Sequence, residues 1–283
     1  MGLFDLFRRS APQPQPQAPP ERTRGRFHGD RSRMFDLEKT GQLQQLFAVP
    51  REQRDGEWNE AFFDAAWCAS IEMPRPQAFA GPDGFPYVRL DVPRPGPFES
   101  QSLASLAGDC LRAGTGAALF AGPDDPPEAA QYVLSLGLID SLIRFDSPLG
   151  DPIDLAEGPA QDGGAIDFTQ PLRRETLILE APRQVLVGTP SRDYLPPYAA
   201  AALHRHLEQA WGMKDPRVQL MVDTMLRPHR NLIVSRKRSE FAPDAPIDAM
   251  ASALTWYLPP CRSIMLMPED WDPGTMTPLR QLF

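Results

Sequence analysis

Stretches in which apolar residues recur at helical spacing alternate with short apolar runs through the first half of the chain. The helical spacing occurs in MFDLEKTGQLQQLFA at residues 34–48, and again in WNEAFFDAAW, SLASLAGDCLRAG and GLIDSLIRF. The short apolar runs are CASIEMP, YVRLDVP, AALFAG and QYVLSL, and each is typical of a strand. This alternation of helices and strands predicts an N-terminal α/β or α+β domain over residues 34–146.

A second predicted domain, residues 174–283, has the element order β-α-β-β-α-β. A strand in RQVLVGTP leads into a helix with its start near Ser191. The core face of that helix comprises Leu195, Ala199, Leu203 and Leu207. RVQLMVDTML and LIVSRK predict a hairpin around the turn RPHRN, PIDAMASALTWYL predicts the second helix, and SIMLMP predicts the closing strand. This order predicts an α+β domain of the ferredoxin-like type, preceded by an additional strand in ETLILE.

The tryptophan of the second helix does not fit its apolar face. That face runs through Ile247, Met250, Ala251, Leu254 and Leu258, whereas Trp256 falls beside it. Two interpretations of Trp256 stay open, a residue at an interface and a packed flank of the helix.

Residues 147–173 separate the two predicted domains. They are acidic and rich in glycine and proline, which is typical of an interdomain linker or a long surface loop. Calcium is the cation that such carboxylates would suit, but the aspartates do not follow the spacing of an EF-hand. We therefore expect a solvated linker, with its carboxylates in water: Asp151, Asp154, Asp162 and Asp167.

Residues 1–33 form a tail of different composition. Its tip, MGLFDLFRR, is amphipathic and is the candidate contact with a partner or a membrane, through Leu3, Phe4, Leu6, Phe7, Arg8 and Arg9. Residues 10–20, SAPQPQPQAPP, favour polyproline II and would span roughly 34 Å at about 3.1 Å per residue. Residues 21–33 are polar and rich in arginine, and they are predicted to be disordered.

Three interpretations of the tail are open: a peptide anchor that docks in the groove of a protein partner, a weak and reversible contact with a membrane surface, and a passive disordered leader. The M-G-x-x-x-[ST] pattern of myristoylation is not present, because Leu6 occupies the last position.

Charge is distributed unevenly along the chain. Residues 1–33 hold seven arginines against Asp5, Glu21 and Asp30, which gives this segment a net charge of +4. The whole chain has a net charge of −8, so the remaining residues together carry −12. An acidic body argues against nucleic acid as a partner, because nucleic-acid binding needs a basic face.

The cysteines and the hydropathy indicate a cytoplasmic protein. Cys68, Cys110 and Cys261 lie far apart and form no CxxC pair, so neither a disulfide framework nor a zinc site is indicated. No stretch approaches the ~20 apolar residues that a membrane span requires, and the start of the chain does not resemble a secretory signal.

Motifs for catalysis or cofactor binding are not found in the sequence, so no metal and no cofactor is expected. His204 and His206 point to opposite sides of a helix and could not share a metal, whereas His204 and Glu208 could pair on the surface. The strongest candidate for a ligand-binding site is GTPSR at 188–192. Free amides at a helix start could hold an anion there, beside Thr189, Ser191 and Arg192. The alternative for these residues is an ordinary N-cap.

The last third of the chain resembles the C-terminal domain of the enhanced serine sensitivity (SseB) family of bacterial proteins. The resemblance covers residues 175–271 and is carried by VLVGTP, LHRHLEQ, VQLMVDTML, NLIVSRK and SIMLMPEDW. FPYVRLDVP and SLASLAGDCL are similar to the N-terminal domain of that family. The resemblance implies the α+β fold, and it brings no reaction and no catalytic residue with it.

The absence of a catalytic motif and the presence of the tail favour one function. The sequence predicts a non-enzymatic, cytoplasmic protein-interaction or accessory module, tethered through the tip of its tail to a protein partner that it does not identify. The alternatives are a regulatory module that senses a small molecule such as an amino acid or a nucleotide, and an enzyme with an unrecognised carboxylate site.

Overall fold

The structure is a computed structural model that describes Phe27 and residues 35–156, 185–223, 226 and 228–283. Across these residues the chain is α+β, as predicted, and it contains helices and two mixed sheets. The tip of the tail, the predicted strand ETLILE and most of the acidic segment lie outside the described residues.

The first half of the described chain, residues 35–156, contains one mixed sheet. The helices are α1 (Leu37–Phe47), α2 (Gly56–Cys68), α3 (Leu103–Ala113), α4 (Leu136–Phe145) and α5 (Pro152–Ala156). The strands are β1 (Ile71–Glu72), β2 (Ala78–Ala80), β3 (Pro86–Asp91), β4 (Ser100–Gln101), β5 (Gly116–Phe120) and β6 (Tyr132–Leu134). Strands β3 and β5 are parallel and are joined through the crossover helix α3, while the other pairs are antiparallel, in the order β4-β1-β3-β5-β6 with β2 also beside β3.

The second half of the described chain lies within residues 185–283 and contains the other sheet. Its elements are β7 (Leu186–Gly188), α6 (Pro197–Gln209), β8 (Arg217–Val222), β9 (Arg230–Val234), α7 (Ile247–Ala253), β10 (Ser263–Leu266) and β11 (Thr277–Pro278). The strand order is β10-β9-β8-β11, with β7 also paired to β8. The predicted β8–β9 hairpin is confirmed. A ferredoxin-like sheet would place its first strand beside its third, whereas β7 pairs with β8, so the observed order does not confirm that topology.

The two halves share one hydrophobic core. The core face predicted for α6 is confirmed, because Leu195, Ala199, Leu203 and Leu207 are all buried. The second helix of this half is shorter than predicted, since a 3₁₀ turn at Leu254–Tyr257 follows α7. This turn carries Trp256 into the contact between the halves, where its ring stacks on Phe85 with 4.7 Å between centroids. Trp256 is thus packed inside the chain, as the packed-flank interpretation expects, and its contacts reach the first half.

Candidate functional site

A cluster of four charged side chains joins the two halves of the chain. Asp151 precedes α5 and Asp154 lies within it, while Arg230 begins β9 and Arg262 immediately precedes β10. The side chains of Asp154 and Arg262 are 0% and 1% exposed. The expectation that these aspartates belong to a solvated linker is therefore wrong for Asp151 and Asp154. Because Arg230 and Arg262 lie in the second half, the sequence around α5 carries no local signal of this pairing.

The geometry of the cluster is that of a closed ionic contact. Arg262 donates from Nε to Asp154 Oδ2 at 2.7 Å, from Nη2 to Asp151 Oδ2 at 2.9 Å, and from Nη1 to the carbonyl of Tyr194 at 2.6 Å. Arg230 donates from Nε to the other oxygen of Asp154 at 2.9 Å. Buried ions are tolerated when each one is paired and hydrogen-bonded, and this cluster meets that condition. Its arrangement holds α5 against the second sheet.

Another buried carboxylate, Asp140, lies on the adjacent helix α4. Asp140 is 1% exposed, accepts a hydrogen bond at Oδ2 from Arg144 Nη1 at 3.2 Å, and accepts another from the hydroxyl of Tyr198 on α6. Burial raises the pKa of Asp140, against the opposing effects of the Tyr198 hydrogen bond and the Arg144 charge. Like the arginine cluster, this contact connects the first half to the second.

The buried carboxylate of Asp91 lies at the end of strand β3. Its side chain is 0% exposed, and Oδ1 accepts a hydrogen bond from Arg89 Nε at 2.9 Å. Oδ2 is buried without a partner among the described residues. Burial raises the pKa of Asp91 to about 6, against the effect of the Arg89 charge. Asp91 is therefore a candidate acid–base group, and nothing in YVRLDVP marks it as such.

The surroundings of Asp91 show what its partner does. Besides the bond to Asp91, the guanidinium of Arg89 donates to the carbonyls of Gly122, Pro123 and Asp125 at 2.8–3.2 Å. The same group lies 4.0 Å from the centre of the Phe120 ring. Arg89 therefore fastens the loop that follows β5, and Asp91 orients Arg89.

The surface of α6 carries a pocket with a volume of about 360 Å³. It is lined by Ala201, His204, Arg205, Glu208, Lys214, Asp215, Arg280 and Phe283. The pairing predicted for the helix surface is present, with 3.3 Å between His204 Nδ1 and Glu208 Oε2. His206 faces away from the pocket and stacks against Phe85, and burial lowers its pKa. The described residues contain no group of three or more histidine, cysteine or carboxylate side chains placed to hold a metal ion.

The residues predicted to bind an anion lie in a turn and not at a helix start. The helix α6 begins at Pro197, because Pro196 and Pro197 suit the cap and the first turn. The amide of Tyr194 donates to the hydroxyl of Ser191 at 3.2 Å and to the carbonyl of Ser191 at 3.0 Å. The N–H of Tyr194 is therefore already hydrogen-bonded within the turn. The hydroxyl of Thr189 lies 2.8 Å from that of Thr277 on β11. Arg192 is exposed. The other predicted contact residues, in the tip of the tail, lie outside the described residues.

Comparisons with protein-family models, with curated proteins and with solved structures give no match to this chain. None of the described helices is both long enough and apolar enough to cross a membrane.

Proposed function

We propose that this chain is a non-enzymatic, cytoplasmic accessory module that binds a protein partner through the tip of its tail. The tip comprises Leu3, Phe4, Leu6, Phe7, Arg8 and Arg9. The folded residues would be the body that the tail tethers, and the resemblance to the SseB family over residues 175–271 is consistent with such a body.

The observation that carries the proposal is that the buried charged side chains of Arg262 and Asp140 are bonded to other groups of the chain. In a catalytic site, charged groups converge on a space that a substrate can enter. Here Arg262 donates to Asp151, Asp154 and the carbonyl of Tyr194, all within the body. Asp140 is likewise occupied by Arg144 and Tyr198. These groups fasten the halves to each other, which favours a rigid platform over a reaction centre.

The energetics of the tip favour a weak or multivalent contact. Complete burial of one Leu or Phe side chain contributes about 1.5–3 kcal/mol. Ordering the backbone costs about 1–2 kcal/mol per residue, so most of the gain is offset. A polyproline spacer of roughly 34 Å before the body would let the tip reach its partner without contact between the body and that partner.

The test is a comparison of three purified chains in pull-downs from native lysate, with soluble and membrane fractions kept apart. The unaltered chain is compared with a Phe4→Glu/Phe7→Glu variant and with an Arg8→Gln/Arg9→Gln variant. A protein recovered by the unaltered chain is then purified, and its affinity for a peptide of residues 1–20 is measured by fluorescence anisotropy.

Each interpretation of the tail gives a different result in this experiment. If the tip binds a protein partner, the phenylalanine variant should lose binding to that partner, and the arginine variant should lose much less. A membrane contact gives recovery in the membrane fraction that falls with salt and with the arginine variant, because anionic lipid attracts the arginines. Equal recovery by all three chains would refute the tether and leave a passive leader.

The pocket on α6 favours a second candidate, the sensing of an amino acid or a nucleotide. Lys214 makes no salt bridge with another described residue, and Arg205 donates to the carbonyl of Ala113 and not to a carboxylate. Such cations could bind a carboxylate or a phosphate. Thermal-shift measurements with amino acids and nucleotides test this candidate, because a ligand of the folded state raises the Tm. The increase should disappear in Lys214→Gln and persist in Lys237→Gln, which lies outside the pocket.

A further inference from the structure

One residue of the tail is part of the hydrophobic core. Phe27 is 4% exposed, and its ring meets that of Trp67 edge to face at 5.5 Å and that of Phe63 at 6.4 Å. Phe27 lies within residues 21–33, the segment for which the sequence predicts disorder, and it is the described residue of that segment. An aromatic side chain buries a large apolar area, so one such residue can hold a polar segment of chain in place.

The place that receives Phe27 combines an apolar slot with a polar acceptor. Phe63 and Trp67 lie one turn apart on α2 and form the slot. The backbone N–H of Phe27 donates to Asp146, the residue that follows α4. Asp146 has a left-handed backbone with φ of 56°, a conformation that is uncommon for a residue other than glycine. Phe63 and Trp67 thus contact the ring of Phe27, while Asp146 accepts the hydrogen bond from its backbone N–H.

We propose that Phe27 anchors the tail to the body beside α2, so that the tether is attached to the body at Phe27. The anchor thus sets the point on the body from which the tip is presented. Its role in tethering rests on the proposed function, but the anchoring contact does not, and the two can fail separately.

Tryptic digestion of the full chain tests the anchor, because the tail offers two comparable bonds. Cleavage after Arg26 requires Phe27 to enter the active site of the protease, whereas cleavage after Arg22 does not require Phe27 to leave its slot. Rates at both bonds are measured by mass spectrometry and are divided by the rates in a free peptide of residues 18–34. We expect the normalised rate after Arg26 to be at least tenfold lower than that after Arg22.

Two variants locate the protection. Phe27→Ala, compared with a peptide carrying the same change, should bring the two normalised rates within twofold of each other. Phe35→Ala is the matched control, because Phe35 is also an aromatic residue at the start of the body but is 46% exposed, and it should retain the protection. Equal normalised rates in the unaltered chain, or protection that persists in Phe27→Ala, would overturn the proposal.

A measurement on the unaltered chain covers the case in which Phe27→Ala unfolds the body. The amide of Phe27 donates to Asp146, so its hydrogen exchange should be at least tenfold slower in the chain than in the free peptide. Exchange at the rate of the free peptide would refute the anchor. A protected Phe27 in a chain that captures no partner would refute the tether and leave the anchor standing.

Discussion

The indole N–H of Trp256 donates to the hydroxyl of Tyr87, 2.8 Å away, across the contact between the two halves of the chain. The hydroxyl of Tyr87 donates in turn to Asp83 at 2.5 Å. The indole also stacks on Phe85, with an angle of 6° between the ring planes. One side chain of the second half is thus hydrogen-bonded to Tyr87 on the inner strand β3 and stacked on Phe85, the residue before that strand, so it joins the two halves.

Replacement of Trp256 should destabilise both halves together. We expect Trp256→Ala to lower the free energy of unfolding by about 3–5 kcal/mol, because it removes a large buried aromatic ring. Trp256→Phe should cost less, since it keeps the stack and loses the hydrogen bond to Tyr87. Urea denaturation followed by circular dichroism and by the fluorescence of the four remaining tryptophans measures both. A separate transition for each half would contradict the shared core.

The arginine cluster should be sensitive to the loss of one member. Arg262→Met leaves Asp151 and Asp154 without their buried partner, and we expect a loss of about 3–5 kcal/mol in the free energy of unfolding. The matched control is Arg238→Met, which removes an exposed pair with Asp248 and should cost about 0.2–1 kcal/mol. Similar losses in the two variants would show that the buried cluster is not a structural contact.

The stability of the chain should depend on pH through Asp91. Its pKa is about 6 in the folded chain against the ordinary value of 3.8 for an aspartate in water, so folding favours the protonated carboxyl. Its contribution to stability is therefore fully present below pH 3.8 and is lost as the pH rises through about 6. Asp91→Asn keeps a neutral group there at every pH.

The free energy of unfolding of Asp91→Asn and of the unaltered chain is to be measured in urea between about pH 4 and pH 7. The difference, variant minus unaltered chain, should shift in favour of the variant by about 1–3 kcal/mol over this range. A difference that is constant with pH, or one that shifts against the variant, would contradict the raised pKa.

The close contact at Gly137 should not tolerate a methyl group. A Cβ there would lie 1.8 Å from the carbonyl oxygen of Leu258, which belongs to the backbone of the other half and cannot rotate away. We expect Gly137→Ala to lower the free energy of unfolding by about 1–3 kcal/mol, the usual cost of overpacking. Gly108→Ala, on α3, is the control, because the nearest atom to its Cβ is 3.7 Å away.

The control has an expected sign of its own. Alanine is favoured over glycine inside a helix by about 0.5–1 kcal/mol, so Gly108→Ala should stabilise the chain. Thermal unfolding of both variants therefore gives shifts of opposite direction. An unchanged Tm in Gly137→Ala would show that the two halves can move apart at this contact.

Local spacing in the sequence determined most of the elements. The periodicity of WNEAFFDAAW predicted α2, the apolar stripe through Leu203 and Leu207 predicted the buried face of α6, and the turn RPHRN predicted the β8–β9 hairpin. These features depend on residues within a few positions of one another, because the period of a helix and the geometry of a hairpin are short-range properties.

Tertiary structure decided which elements and charges meet. Asp154 stands in an acidic, glycine- and proline-rich segment that is typical of a solvated linker, and its partner Arg262 is 108 positions away. Phe27 likewise stands in an arginine-rich tail, and its slot is formed by residues of α2. Composition determines what a segment prefers when it is alone in water. Whether a carboxylate or a ring leaves water depends on what a distant part of the chain offers it, because burial is favourable only where a partner or an apolar slot already stands.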